Sequence, residues 1–242
     1  MIDNLPIYVP LGFGLTSLGT LLFCFWTIRA SDSRQIRKKA APLSIGLAIW
    51  LLLQAFLALK DIYSSTTDAS PPIIMLAGIF PAVLAIVLLF LTRGGQHFVD
   101  GLPLKQLACL HVVRIPVEII LYWLFLNKLV PQAITFEGRN FDIFAGVTAP
   151  IIAYFGFVKP ILGRRVILIW NFICLGLLLN VVVTAMLSAP SPLQSFAFEQ
   201  PNIAILYFPF SWLPTFIVPV VLFAHLASVR QLIMQRKKDI KK

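Results

Sequence analysis

The fourth hydrophobic stretch of the chain, Leu104 to Val130, reads LKQLACLHVVRIPVEIILYWLFLNKLV and is long enough to cross a bilayer. It nevertheless carries His111, Arg114 and Glu118 well inside it. An ionised side chain near the bilayer centre costs from roughly 2.5 kcal/mol upward, so such groups normally face a protein interior or a wet cavity. Spacings of three and four residues put all three on one helical face, with Tyr122 one turn further on. Other spans must receive that face, and this demand constrains the fold more than any other feature.

Those spans are legible. Hydrophobic side chains make up 59% of the 242 residues and charged ones only 12%, against about 25% charged in soluble domains. Apolar runs of about eighteen or more residues recur along the chain, each enough for one crossing of ~30 Å at 1.5 Å per residue. The runs are continuous rather than alternating, which excludes a lipid-facing barrel. The expected fold is all-α, a polytopic seven-transmembrane-helix bundle with spans near 6–28, 42–59, 72–92, 104–130, 141–158, 166–187 and 203–229. It forms one domain over residues 1–230, followed by a basic tail, 231–242. The opening MIDNLPIYVP lacks the basic n-region of a secretory signal and the first span lacks an A-x-A cleavage site, so that span is expected to be retained.

Charge placement orients the bundle. Arg29, Arg34, Arg37, Lys38, Lys39, Arg93, Lys105, Lys159, Arg164, Arg165, Arg230, Arg236, Lys237, Lys238, Lys241 and Lys242 fall on one side, 16 of the 20 basic residues. Lys60, Lys128 and Arg139 fall on the other. The positive-inside rule then puts the N-terminus outside and the C-terminus in the cytoplasm. The basic balance, with a pI near 9.9, thereby finds its account in topology and not in nucleic-acid binding. Cys24, Cys109 and Cys174 lie in or beside apolar runs with no CxxC spacing, and read as buried small hydrophobes.

Within the spans, Pro81 should bend the third and Pro150 should free a carbonyl in the fifth. Ala145, Ala149 and Ala153 make a smooth packing stripe, and Gln54 reads as an interhelical hydrogen bond. RGGQHFVDGLPLK reads as a loop. Span seven, from about Ile203 past His225, is made irregular by Pro209, Pro214 and Pro219. No inverted repeat is visible.

Arg114 cannot shed its charge and requires an acceptor. Glu118 is the nearest candidate, with Asn180 or a bound anion as a second partner. Pro116 leaves the Val112 carbonyl without its usual donor. One reading has Arg114 and Glu118 pair with each other and pin the bundle. The other has their face line a cavity that binds a polar or anionic small molecule or an ion, with His111, Tyr122, Asn180 and Thr184 as further candidates. The exterior loop PQAITFEGRNFD, carrying Glu137, Arg139, Asn140 and Asp142 with Phe136 and Phe141 as candidate anchors, is a candidate lid.

Three function classes follow: a transporter with Arg114 as anion receptor and Glu118 as a proton-coupled carboxylate, a seven-helix sensor acting through a cytoplasmic partner, and a membrane enzyme or haem protein. His111 and His225 both lie in the cytoplasmic half of their spans, the only hint of axial ligation, and His225 is expected at the interface. Span seven has no lysine for a retinal Schiff base, and HExxH and GxSxG motifs are absent. Expected partners are the lipid bilayer and a small polar or anionic ligand. No cofactor and no oligomeric state follow from the residues.

The stretches HVVRIPVEIILYWLF, TFEGRNFDIFAGVTAP and LIWNFICLGLLLN resemble an uncharacterised group of bacterial seven-span membrane proteins, over nearly the whole chain. The resemblance implies a multi-pass protein of the bacterial inner membrane and transfers no activity.

Overall fold

A computed structural model describes residue 2 and residues 5–240, with side chains described as far as residue 234. It is 72% helix, with no strand among the described residues. Continuous apolar sequence leads to helix because hydrocarbon offers backbone N–H and C=O groups no partner outside the segment. The helices are α1 (Tyr8–Arg29), α2 (Ala40–Leu59), α3 (Met75–Leu91), α4 (Arg93–Asp100), α5 (Leu104–Leu126), α6 (Ile143–Val158) and α7 (Arg164–Ser188). The last, α8, opens as Leu213–Ile217 and continues as Val218–Ile240.

Five helical segments are long and apolar enough to cross a membrane, and six if α3 and α4, bent by 90° at their junction, form one broken span. The expected fifth span is α6, whose length of about 24 Å falls short of a ~30 Å hydrocarbon core. Leu11, Leu15, Leu18 and Leu22 on α1, like many large apolar residues elsewhere, are exposed on the outer surface. That much contiguous apolar surface belongs against lipid.

Two expectations about boundaries are corrected. The segment from Arg93 is a helix and not a loop: Thr92 Oγ1 caps it by accepting from Gly95 N–H at 3.2 Å. Gly95 lies so close to α3 that a Cβ there would strike the Leu89 backbone, so the sharp bend needs this glycine. The seventh span begins at Leu213 and not near Ile203. Residues 203–212 form turns and a short helical turn, Ala204–Leu206, and the N–H groups of Ile203 and Ala204 both donate to Leu129 O. Pro209 breaks any helix attempted there.

Prolines also set the irregular points of the helices. Widened π-helical turns occur at Met75–Ile79, Tyr154–Val158 and Leu213–Ile217, just before Pro81, Pro160 and Pro219 respectively. A missing N–H and a ring pressing on the i−4 carbonyl force the ladder open, and neighbouring groups take up the freed partners. Gln54 Nε2 donates to Ala77 O at 3.1 Å, Trp50 Nε1 to Thr215 O at 2.9 Å and Trp212 Nε1 to Leu51 O at 2.9 Å. The Tyr63 hydroxyl closes the set by donating to Gln54 Oε1 at 2.5 Å. Burial pushes the Tyr63 phenol up to about 12, so it remains a donor throughout the physiological range. At the centre of this crossing a Cβ on Gly78 would stand 2.5 Å from Thr215 Cγ2.

The helices α5 and α8 are the most buried and form the axis of the bundle, with α5 packed on α1, α6 and α8. At one end Gln200 Nε2 caps α5 by donating to Phe125 O and Val130 O. At the other, Arg230 grips Asp100 through Nε at 2.7 Å and Nη2 at 3.0 Å, and Gln231 Nε2 donates to Val99 O and Leu102 O. The backbone of α8 runs into the basic tail as helix. The tail's basic side chains Arg236, Lys237 and Lys238 and the residues Lys241 and Lys242 lie outside the description.

Candidate functional site

The polar face of α5 is buried at the bundle centre. His111, Arg114 and Glu118 are 0%, 3% and 2% exposed. The helix narrows to a tighter turn at His111–Val113 and restarts at Arg114, two residues before Pro116. This break lies beside α6, where Gly146 removes the side chain that would otherwise hold the helices apart. A Cβ on Gly146 would stand 2.8 Å from Ile115 Cγ1, 3.1 Å from Ile115 N and 3.3 Å from Arg114 Cβ. Ala145 and Ala149 on α6 are fully buried along the same seam.

Arg114 finds its counter-charge in Asp142 rather than in Glu118. Its Nη1 lies 3.0 Å from Asp142 Oδ1, and the same nitrogen donates to Cys174 O at 3.3 Å on α7. Its Nη2 lies 3.0 Å from His225 Nε2 on α8. A guanidinium only donates, so His225 Nε2 is the accepting nitrogen and the ring proton sits on Nδ1. That N–H donates to Asn171 Oδ1 at 3.0 Å, and Asn171 Nδ2 donates to Ile167 O at 2.9 Å. One chain of hydrogen bonds thus orders three helices, α5, α7 and α8, around one cation. The carboxylate nearest in sequence fails as the partner because Arg-then-Glu is the less favourable order along a helix, and Asp142 is delivered by the α5–α6 connection.

Glu118 is held from the same connection. Asn140 Nδ2 lies 2.7 Å from each carboxylate oxygen and 2.9 Å from Ile134 O, while Asn140 Oδ1 accepts from Asp142 N–H at 2.9 Å. Of the candidate lid residues, Asn140 and Asp142 are therefore buried and in contact with the α5 face, whereas Glu137 and Arg139 are exposed. The turn that lets Asn140 reach inward needs Gly138, where a Cβ would strike Gln132 O.

Arg114, Glu118 and Asp142 line one end of a cavity of about 110 Å³ between α3, α5, α7 and α8, otherwise walled by residues such as Leu121, Leu178, Val182 and Ile217. Three buried polar atoms at this cavity have no hydrogen-bond partner: Arg114 Nε, Asp142 Oδ1 and Asn202 Oδ1. The Arg114–Asp142 contact is thus an ion pair by distance without hydrogen-bond alignment at Oδ1.

The other candidates lie elsewhere. Asn180 is exposed and donates to Arg139 O at 2.9 Å. Thr184 Oγ1 bonds back to Asn180 O on its own helix at 2.8 Å. Both are corrections, because the buried face of α7 runs through Ile167, Asn171, Cys174 and Leu178 and leaves the Asn180 stripe outside. Tyr122 stacks beside Phe136 with centroids 5.0 Å apart and does not line the cavity. His111 lies against His225, rings nearly parallel at 3.8 Å, with Trp170 edge-on at 5.5 Å, and neither imidazole nitrogen has a partner.

Two residues central to the network are not among the ligand-binding residues expected from sequence, where His225 figures only as a candidate axial ligand or an interfacial residue. His225 is fully buried instead of interfacial, and Asn171 fixes its tautomer. The available signal was the buried row on α8 of Ala224, Ala227, Ser228 and Gln231 at helical spacing around His225. The His111–His225 stack puts the two faces in contact, which is not the geometry of two rings ligating a metal from opposite sides. Among the described residues no group of three or more His, Cys, Asp or Glu side chains converges as a metal site. Comparison with protein-family models, with curated proteins and with solved structures returns no match.

Proposed function

We propose that this is a membrane carrier for a small polar solute, which it binds in the Arg114–Asp142–Glu118 cavity and moves with a proton exchanged at Glu118. The observation that carries this reading is the cavity itself. An ion pair and a second carboxylate line empty space, and the lining residues Arg114, Asp142 and Asn202 each keep a buried polar atom without a hydrogen bond. Such groups are costly in hydrocarbon and normally mark a pathway or a site. A cavity of about 110 Å³ equals roughly four waters at ~30 Å³ each, so the solute has few heavy atoms.

Charge refines the ligand class. Arg114 is already matched by Asp142, so an added anion would bring surplus negative charge beside Glu118. A small cation, or a neutral solute rich in hydrogen-bond donors, balances the site instead. Asn140 offers Glu118 only N–H, because its carbonyl is taken by Asp142 N–H. An ionised Glu118 accepts that N–H. A protonated Glu118 carries an O–H donor where the ionised form only accepts, which changes that wall of the cavity from acceptor to donor. This is how proton exchange would alter solute affinity.

The reading takes all seven apolar segments as crossings, with α6 a short one. It keeps the N-terminus outside and the C-terminus in the cytoplasm on the charge asymmetry of the loops, in a bacterial inner membrane. Proteoliposomes under an imposed pH gradient test it, with a panel of small amines, amides and anions. Solute-dependent proton flux lost in Glu118→Gln is the expected result. Stabilisation by a solute without flux would replace the carrier by a sensor. Absence of both binding and flux, in a folded wild type, would overturn the proposal.

A further inference from the structure

A second cavity, larger than the polar one, lies away from that site. It measures about 420 Å³ and is walled by α1, α2, α3, α5 and α8 almost entirely with apolar side chains, within the roughly 300–1,000 Å³ of small-molecule sites. It runs from Ile28, Pro42 and Phe98, at the end carrying the basic loops, to Trp50 and Thr215 at mid-bundle. Pro42 to Trp50 is eight residues of helix, about 12 Å, close to the ~15 Å of one leaflet in a ~30 Å core.

Its mouth is polar in a graded way. Lys38 and Lys39 are exposed just before α2, and Arg29 is exposed at the end of α1 next to the lining residue Ile28. Lys39 Nζ stands 6.0 Å from the ring centroid of Phe98, itself part of the wall. Two residues inward of Arg29, Thr27 lines the cavity, is buried, and leaves its hydroxyl without a partner. Basic residues near the membrane surface attract anionic head groups. A donor hydroxyl just below that level meets ester carbonyls, and an apolar slot about one leaflet deep meets an acyl chain.

We infer that this cavity is a site for an anionic phospholipid of the leaflet facing the basic loops. One acyl chain fills the slot, the Thr27 hydroxyl donates to an ester carbonyl, and Arg29, Lys38 and Lys39 hold the phosphate. The inference is independent of the solute cavity, whose walls lie on the other side of α8.

Native mass spectrometry of delipidated full-length protein tests it, titrated with dioleoyl phosphatidylglycerol, dioleoyl phosphatidylcholine or inorganic phosphate. Wild type is expected to retain one tightly held phosphatidylglycerol, to hold phosphatidylcholine at least about tenfold more weakly, and to show no saturable phosphate adduct. Gly46→Phe should lose the bound lipid, because Gly46 lines the cavity and a Cβ there meets nothing within 4 Å. Lys38→Gln/Lys39→Gln lies outside the packed core and should fold, while losing the preference for the anionic head group. Equal retention of both lipids, or an unchanged preference in the lysine variant, would overturn the inference. So would saturable binding of phosphate alone.

Discussion

At the scale of single residues, the decisive fact is that Arg114 has one ion-pair partner and two hydrogen-bond acceptors on three different segments, and Glu118 is not one of them. Asp142, Cys174 O and His225 share the guanidinium. Removing one partner of a buried pair leaves a stranded charge and costs about 3–5 kcal/mol, whereas replacing both with apolar groups is often neutral. Asp142→Ala is therefore expected to destabilise the detergent-purified protein strongly, and Arg114→Met/Asp142→Leu much less. Equal melting temperatures for the single and double variants would show that the pair is not coupled. The two histidines should differ in the same assay. His225→Phe strands both Arg114 and Asn171, at about 1–3 kcal/mol. His111→Phe removes two nitrogens that have no partner and keeps the ring stack, so it should be neutral or stabilising. A large loss from His111→Phe would mean that its nitrogens are used.

At the scale of elements, close approach is bought with glycine at a few crossings only. Gly146 lets α6 lie against the α5 break, and Ile115 N, a backbone atom, cannot yield to a larger residue. Gly146→Val should cost roughly 1–3 kcal/mol from overpacking and should lower stability together with solute binding, because it displaces Arg114. Gly176, on the outward stripe of α7, has no neighbour within 4 Å of a Cβ. Gly176→Ala should therefore be neutral, or stabilising by up to about 1 kcal/mol through helix propensity. The proline-associated π turns on α3 and α8 meet at Gly78 and Thr215, so the irregular backbone of each helix is covered by the other, as hydrocarbon requires.

At the scale of the whole molecule, the bundle has a charged central column and two unlike ends. Asn140 and Asp142 plug the column from the α5–α6 connection, while the Arg230–Asp100 pair ties α8 to the bent helix α4 at the opposite end. Single cysteines at Arg139 and Lys159, in a background lacking Cys24, Cys109 and Cys174, should label from opposite sides of sealed vesicles. The Arg139 position should react from outside. Labelling of both positions from one side would remove α6 as a crossing and reduce the number of spans.

What the sequence by itself determined was composition-level and periodic. Apolar runs too long and too continuous for strands determine helices, and the polar and charged groups of His111, Arg114 and Glu118 determine that α5 faces inward, since their cost in lipid is local and needs no partner to be named. What only the tertiary structure decided was who receives them. Asp142, His225 and Asn171 lie 28, 111 and 57 residues from Arg114 along the chain, and spacing within one helix carries no information about which residue of another stands opposite. The misplacement of Asn180 and Thr184 has the same cause: a helix hydrophobic on all sides has no polar face to set its rotation. Rotation is then decided by packing, here by the contact of Cys174 and Leu178 with the interior.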